Sequence, residues 1–269
     1  MRLRELFIEN PLLIEFKRNL RRFFLVGRGK GANLGIFTMA ILIYFFIFMI
    51  VFSVRTYLEI SAIVVTQLVL LSFIVPAIMH GTIAGERERR SWDMLLVAPI
   101  SNKQIVYGKF MSGAAMIGLM LVLFWPLILI LFPYDVHAPF SVVLGQQLTV
   151  AGYGVFVAGL SIYISSRCNR AFSANLIIFG TVFILLVVLP IFLAMALSRG
   201  PDQSIVWFFH PFWTVLTMET SGASSSGGRD QLTAGYGIIQ SLSYLAAAFA
   251  LLSFAEASFR SIDQRVGSQ

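Results

Sequence analysis

ISAIVVTQLVLLSFIVPAIMHGTI, residues 60–83, holds no Asp, Glu, Lys or Arg from end to end. At about 1.5 Å per residue, a helix of this length crosses a hydrocarbon core about 30 Å thick. Inside lipid the backbone must satisfy its own hydrogen bonds, and a helix does so within one segment. Five further runs repeat the pattern, at 34–54, 107–132, 142–164, 172–197 and 233–255. The expected fold is an all-α membrane protein with six transmembrane helices.

Composition points the same way. Of 269 residues, 58% are hydrophobic, 14% aromatic and 12% charged. A soluble domain carries roughly 45–50% apolar and about 25% charged residues. So little charge leaves too small a polar surface to coat a water-soluble body.

The formal charge of +7 follows the membrane rather than a nucleic acid. Seventeen of the 20 Lys and Arg lie before the first run, between runs two and three or at the start of run three (Lys109), between four and five, or after the last. Only Arg55, Arg199 and Arg229 fall on the other side. Basic residues are retained in the cytoplasm, where they also meet anionic lipid. Both termini are therefore expected in the cytoplasm, and no nucleic-acid partner is expected. Cys168 is the single cysteine, so neither an internal disulfide nor a multi-ligand zinc site is expected.

The chain divides into an N-terminal cytoplasmic segment (1–32), a six-helix membrane domain (33–258) and a cytoplasmic tail (259–269). About 30 largely polar residues precede the first run, which predicts a retained helix rather than a cleaved signal. Within them, Leu12, Phe16, Leu20 and Phe23 recur at helical spacing, with Lys17, Arg18, Arg21 and Arg22 between. Such a helix lies in the cytoplasmic interface with lipid, or packs across the cytoplasmic ends of the bundle. On the outer side, Trp207, Phe208, Phe209, Pro211, Phe212 and Trp213 suggest a short interfacial or re-entrant helix. Residues 222–229 read as a flexible tip.

The loop after run two carries the strongest functional signal. Ser91 can cap a short helix whose first turn holds Asp93 and which must end before Pro99. Ser101 to Gln104 forms a capping box that starts a second helix, continuing into run three. The short helix bears Trp92, Leu95 and Leu96, which a purely solvated loop would not need. It either folds back on the bundle or docks a cytoplasmic partner.

At this point the sequence resembles a known family. Glu86-Arg87-Glu88, then Ser91-Trp92-Asp93-Met94-Leu95-Leu96-Val97-Ala98-Pro99-Ile100-Ser101, then Gly108-Lys109, are similar to the loop signature of ABC-2-type transporter permeases. Gly159-Leu160-Ser161, Ser165-Ser166-Arg167, Ala171 and Ala174 resemble that family's segment between spans four and five. Asn10-Pro11-Leu12-Leu13 resembles the opening of its N-terminal helix. Trp92 and Asp93 stand where Thr and Leu are commoner in the family.

The resemblance implies the transmembrane permease subunit of an ABC exporter in a bacterial or archaeal plasma membrane. It would pair with a second copy or a homologous permease and move an amphipathic or lipid-like substrate. A separate cytoplasmic ABC ATPase would hold the ATP and Mg, with no cofactor in this chain. Glu86, Arg87, Glu88, Trp92, Asp93, Leu95, Leu96 and Pro99 would form the ATPase-coupling element. Phe16, Arg18, Arg21 and Arg22 would lie on an interfacial helix that steadies the contact.

Alternatives remain at this stage. A P-loop needs Gly four residues before Gly-Lys-Ser/Thr; Gly29-Lys30 is followed by Gly31 and Gly108-Lys109 by Phe110, so this chain is not expected to be an ATPase. A secondary transporter would want ionisable groups near the midplane, and the runs hold few. His80 reads as a satisfied interfacial histidine. Gln67, Gln146, Gln147, Gln240, Ser241 and Tyr244 either bond across helices or line a substrate route. An intramembrane enzyme would want H-E-x-x-H or G-x-S-x-G, which are missing, and His210 reads as structural. A membrane scaffold stays open.

Overall fold

A computed structural model describes residues 30–55, 58–90, 102–135, 139–196, 210–222 and 229–266. Among them every regular element is a helix. They are α1 (Lys30–Val54), α2 (Ile60–Met79), α3 (Ala84–Glu88), α4 (Asn102–Leu131), α5 (Phe140–Arg167), α6 (Ala171–Phe183), α7 (Leu189–Ala196), α8 (Pro211–Gly222) and α9 (Arg229–Val266). A π-helical turn, Ile184–Val188, joins α6 to α7. Five described helices are long and apolar enough to cross a membrane, and Leu42–Val54 adds a shorter apolar one. The chain is an all-α, multi-pass membrane protein.

The expected N-terminal interfacial helix, with Phe16, Arg18, Arg21 and Arg22, lies outside the described residues. So do the short helix carrying Trp92, Asp93, Leu95, Leu96 and Pro99, the aromatic residues 207–209, and 223–228 of the expected tip. The other runs appear as helices with polar extensions. α4 starts at Asn102, and α9 passes from its apolar run through residues 259–266 without a break.

α5 is the centre of the bundle, with α2, α4 and α9 packed around it. Gly145, Gly152 and Gly159 recur on α5 every seven residues and face Gly237, Ser241 and Ala248 of α9. A Cβ on Gly152 would sit 2.8 Å from the Ser241 Cα, and one on Gly237 would sit 2.5 Å from the Gly145 carbonyl oxygen. Both positions must lack a side chain for the backbones to come so close. Association in lipid relies on such small-residue contacts, because lipid tails are as apolar as leucine.

Polar groups stitch the interior. Ser72 and Tyr153 share a 2.7 Å hydrogen bond between α2 and α5. Gln147 donates to the Gln67 side-chain oxygen, and Gln146 donates to the Val215 carbonyl of α8. Gln240 donates to the Tyr244 hydroxyl within α9. At the end of the bundle opposite α3, Asp135 after α4 accepts from the Ile60 amide at the start of α2, where a carboxylate suits the helix dipole.

The segment made of α6, the π turn and α7 is built differently. Pro190 has no N–H to give the Leu186 carbonyl four residues back, so that oxygen needs another donor. His210 supplies it, its Nε2 lying 2.9 Å from the Leu186 oxygen. His210 also caps α8, its Nδ1 accepting from the Trp213 amide. The two bonds together call for the neutral ring protonated at Nε2.

Candidate coupling site

Helix α3 is a five-residue turn at the end of α2, and it holds Glu86, Arg87 and Glu88. Successive residues on a helix are about 100° apart. Three consecutive charged side chains therefore cannot share one face, and each addresses a different neighbour.

Glu86 Oε1 lies 2.7 Å from Lys109 Nζ on α4. Lys109 is only 2% exposed, and its ammonium also donates to the Thr82 carbonyl at 2.7 Å. A buried ammonium is tolerable when a carboxylate and a carbonyl both receive it. Arg87 donates through Nη1 to the Ser166 carbonyl at 2.6 Å, at the C-terminal end of α5. A cation there matches the negative end of the helix dipole. Glu88 Oε2 accepts from the Ala171 amide at 3.0 Å, at the first residue of α6. That amide is one of the donors a helix start leaves without an intrahelical partner, and a carboxylate is its best acceptor.

The root of α3 is fixed by Ser165 of α5. Its hydroxyl donates to the His80 carbonyl at 2.7 Å and accepts from the Ile83 and Ala84 amides at 3.2 and 3.0 Å. The one donor and both lone pairs are then in use. His80, as expected, is satisfied locally, with Nδ1 2.9 Å from the Ala77 carbonyl. Beyond α3, Arg90 takes a left-handed φ of 55° and turns the chain toward residues 91–101.

Cys168 lies beside this cluster, between α5 and α6, and is 8% exposed. Burial pushes its thiol up from the ordinary range, and the nearby Arg87 guanidinium pulls it partly back. Among the described residues, no group of three or more His, Cys, Asp or Glu is placed to hold a metal ion.

Glu86, Arg87 and Glu88 thus turn to groups of their own chain. They tie the end of α2, which precedes residues 91–101 in the chain, to α4, α5 and α6. Trp92, Asp93, Leu95, Leu96 and Pro99 lie outside the described residues. The sequence offered Lys109, Ser165, Ser166 and Ala171 only as parts of a resemblance. The fold gathers all four around α3. The signal that could have found the ion pair is a Glu at the end of one apolar run and a Lys at the start of the next.

A search of curated proteins returned no match to the chain. The sequence model described as ABC-2 family transporter protein matches residues 52–263, from the end of α1 to the last turns of α9 and across the whole α3 cluster. That match spans well over half of the sequence, and the chain belongs to the ABC-2 transporter family.

Proposed function

We propose that this chain is the permease subunit of an ABC exporter, driven by a separate cytoplasmic ATPase that docks on residues 91–101. The observation that carries the reading is the α3 cluster. The turn that precedes Trp92, Leu95 and Leu96 in the chain is bonded to α4, α5 and α6 at once. A loop that only joined two spans would need no such anchorage.

In this reading six helices span the membrane, α1 being the first, with both termini in the cytoplasm of a bacterial or archaeal cell. Two such permeases, identical or homologous, work with two ATPases that hold ATP and Mg. Residues 3–24 steady the contact along the membrane plane. Many lipid-facing side chains and a core of neutral amides and hydroxyls suit an amphipathic or lipid-like substrate moved outward.

The test is a detergent pull-down of the candidate ATPase by wild type and by a Leu95→Asp/Leu96→Asp variant. Loss of the ATPase from the folded variant supports the reading and locates the docking helix. No ATPase with wild type sinks the permease reading and favours a secondary transporter or scaffold. Equal capture by both keeps the permease and discards this docking helix.

A further inference from the structure

We infer that Glu86, Arg87 and Glu88 are positioning residues that divide one input, the Glu86 arm passing it to α4 and the Glu88 arm to α6 while the Arg87 arm braces it on α5. The inference rests on the proposed ATPase coupling and adds how the movement is distributed. Glu86 grips α4 through Lys109, Arg87 grips the end of α5, and Glu88 grips the start of α6. Ser165 ties the root of the same turn to α5.

The chemistry of each arm fits its target. A carboxylate meets an ammonium, a guanidinium meets the carbonyl end of a helix, and a carboxylate meets the amide end of a helix. Alternating charge along three consecutive residues is what these three targets demand. A charged flank serving only solubility would have no reason to alternate in step with them. The targets also differ in freedom. α5 is held along its length by α9, whereas α6 leads into a span most of whose described side chains are exposed. A push through α3 is therefore braced on α5 and delivered to α4 and α6.

The arms can be cut one at a time. Glu88→Ala removes the acceptor facing α6, while Glu88→Gln keeps an oxygen there. Ala171→Pro removes the donor and leaves Glu88 intact. Proline is well accepted at the first residue of a helix, and Arg170 before it already has the extended φ of −129° and ψ of 138° that proline requires. Glu86→Gln weakens the α4 arm.

The experiment uses the permease co-purified with its ATPase in lipid nanodiscs, in a Cys168→Ala background. Spin labels at exposed Leu176 of α6 and exposed Val122 of α4 are each paired with exposed Phe254 of α9. Distances are read without nucleotide and with ATP and vanadate. The expected result is that Glu88→Ala and Ala171→Pro at least halve the nucleotide-driven change at the α6 pair. They leave the α4 pair and ATPase capture as in wild type, and Glu88→Gln restores the α6 change. Glu86→Gln is expected to do the reverse, lowering the α4 change and sparing α6.

If both pairs fall together in every variant, or neither falls, the cluster is only a structural clamp and the inference is overturned. It is equally overturned if wild type captures its ATPase but neither pair moves, and the permease reading then survives. If wild type captures no ATPase, the permease reading fails first and takes this inference with it.

Discussion

Helix α5 and the span made of α6, its π turn and α7 cross the same membrane by opposite means. Most side chains of α5 are buried, whereas most described side chains from α6 to α7 are exposed. α5 runs unbroken and meets α9 backbone to backbone through its glycines, while the α6–α7 segment is interrupted by a π turn and Pro190. Tight small-residue packing makes one helix the fixed frame. Exposure and a broken hydrogen-bond ladder leave the other less constrained by its own chain. Arg87 and Glu88, adjacent in sequence, hold one each.

The hardest blow to this contrast is Gly152→Leu. Its side chain would enter the backbone of α9, so the loss should reach or exceed the upper end of the about 1–3 kcal/mol typical of overpacking. A Cβ on Gly180 of α6 meets nothing within 4 Å, so Gly180→Leu should fold like wild type. Size-exclusion profiles and thermal unfolding in detergent read both, and equal behaviour of the two would end the distinction between frame and wall.

Next in size, Glu86→Ala leaves the Lys109 ammonium buried without its carboxylate. A loss of about 3 kcal/mol is expected, toward the low end for a broken buried pair because Glu86 is partly exposed. Glu86→Leu combined with Lys109→Met should recover most of it. A double variant as unstable as the single one would mean that the charges are not what joins α3 to α4.

A smaller effect is expected at the outer end. His210→Ala removes the cap of α8 and the donor to the Leu186 carbonyl, for about 1–2 kcal/mol. Amide exchange should quicken at Trp213 and around the π turn and stay unchanged along α5. Uniform exchange would show that His210 does not tie the two outer helices together.

The gentlest probe is Cys168, at the junction of frame and wall. Only the thiolate alkylates, and burial pushes this thiol up, so less of it is ionised at neutral pH than in a free cysteine. Maleimide labelling should be several-fold slower than that of a model thiol, and its rise with pH should begin higher. Labelling at the free-thiol rate would mean that the junction opens readily.

The sequence made the spans legible because length and apolarity are local properties, and 60–83 needs no partner to be read. The pairing of Glu86 with Lys109 was not legible in the same way. Twenty-three positions and a helical turn separate the two, and a Lys at the edge of a span looks like any other cytoplasmic cation. Glu86, Arg87 and Glu88 read as a flank of the docking helix because charges beside a loop ordinarily face water. Only the fold shows them meeting Lys109, Ser166 and Ala171. Pro190 shows in the sequence that a carbonyl is freed, but not that His210, 24 residues from Leu186, takes it up. The seven-residue spacing of Gly145, Gly152 and Gly159 was in plain view. What it lacked was the identity of the facing helix, since any of five others could have filled it.

The π turn also has an evolutionary meaning. A π turn holds one residue more than the α-helical turn it replaces, so Ile184–Val188 is equivalent to a single-residue insertion in an otherwise regular span. Everything beyond it, including Pro190 and Phe192, is rotated by about 100° from where an unbroken helix would place it. A relative lacking one residue here would present a different face of its outer half. A one-position gap in an alignment at 184–188 would therefore mark a change in what that span shows to its surroundings.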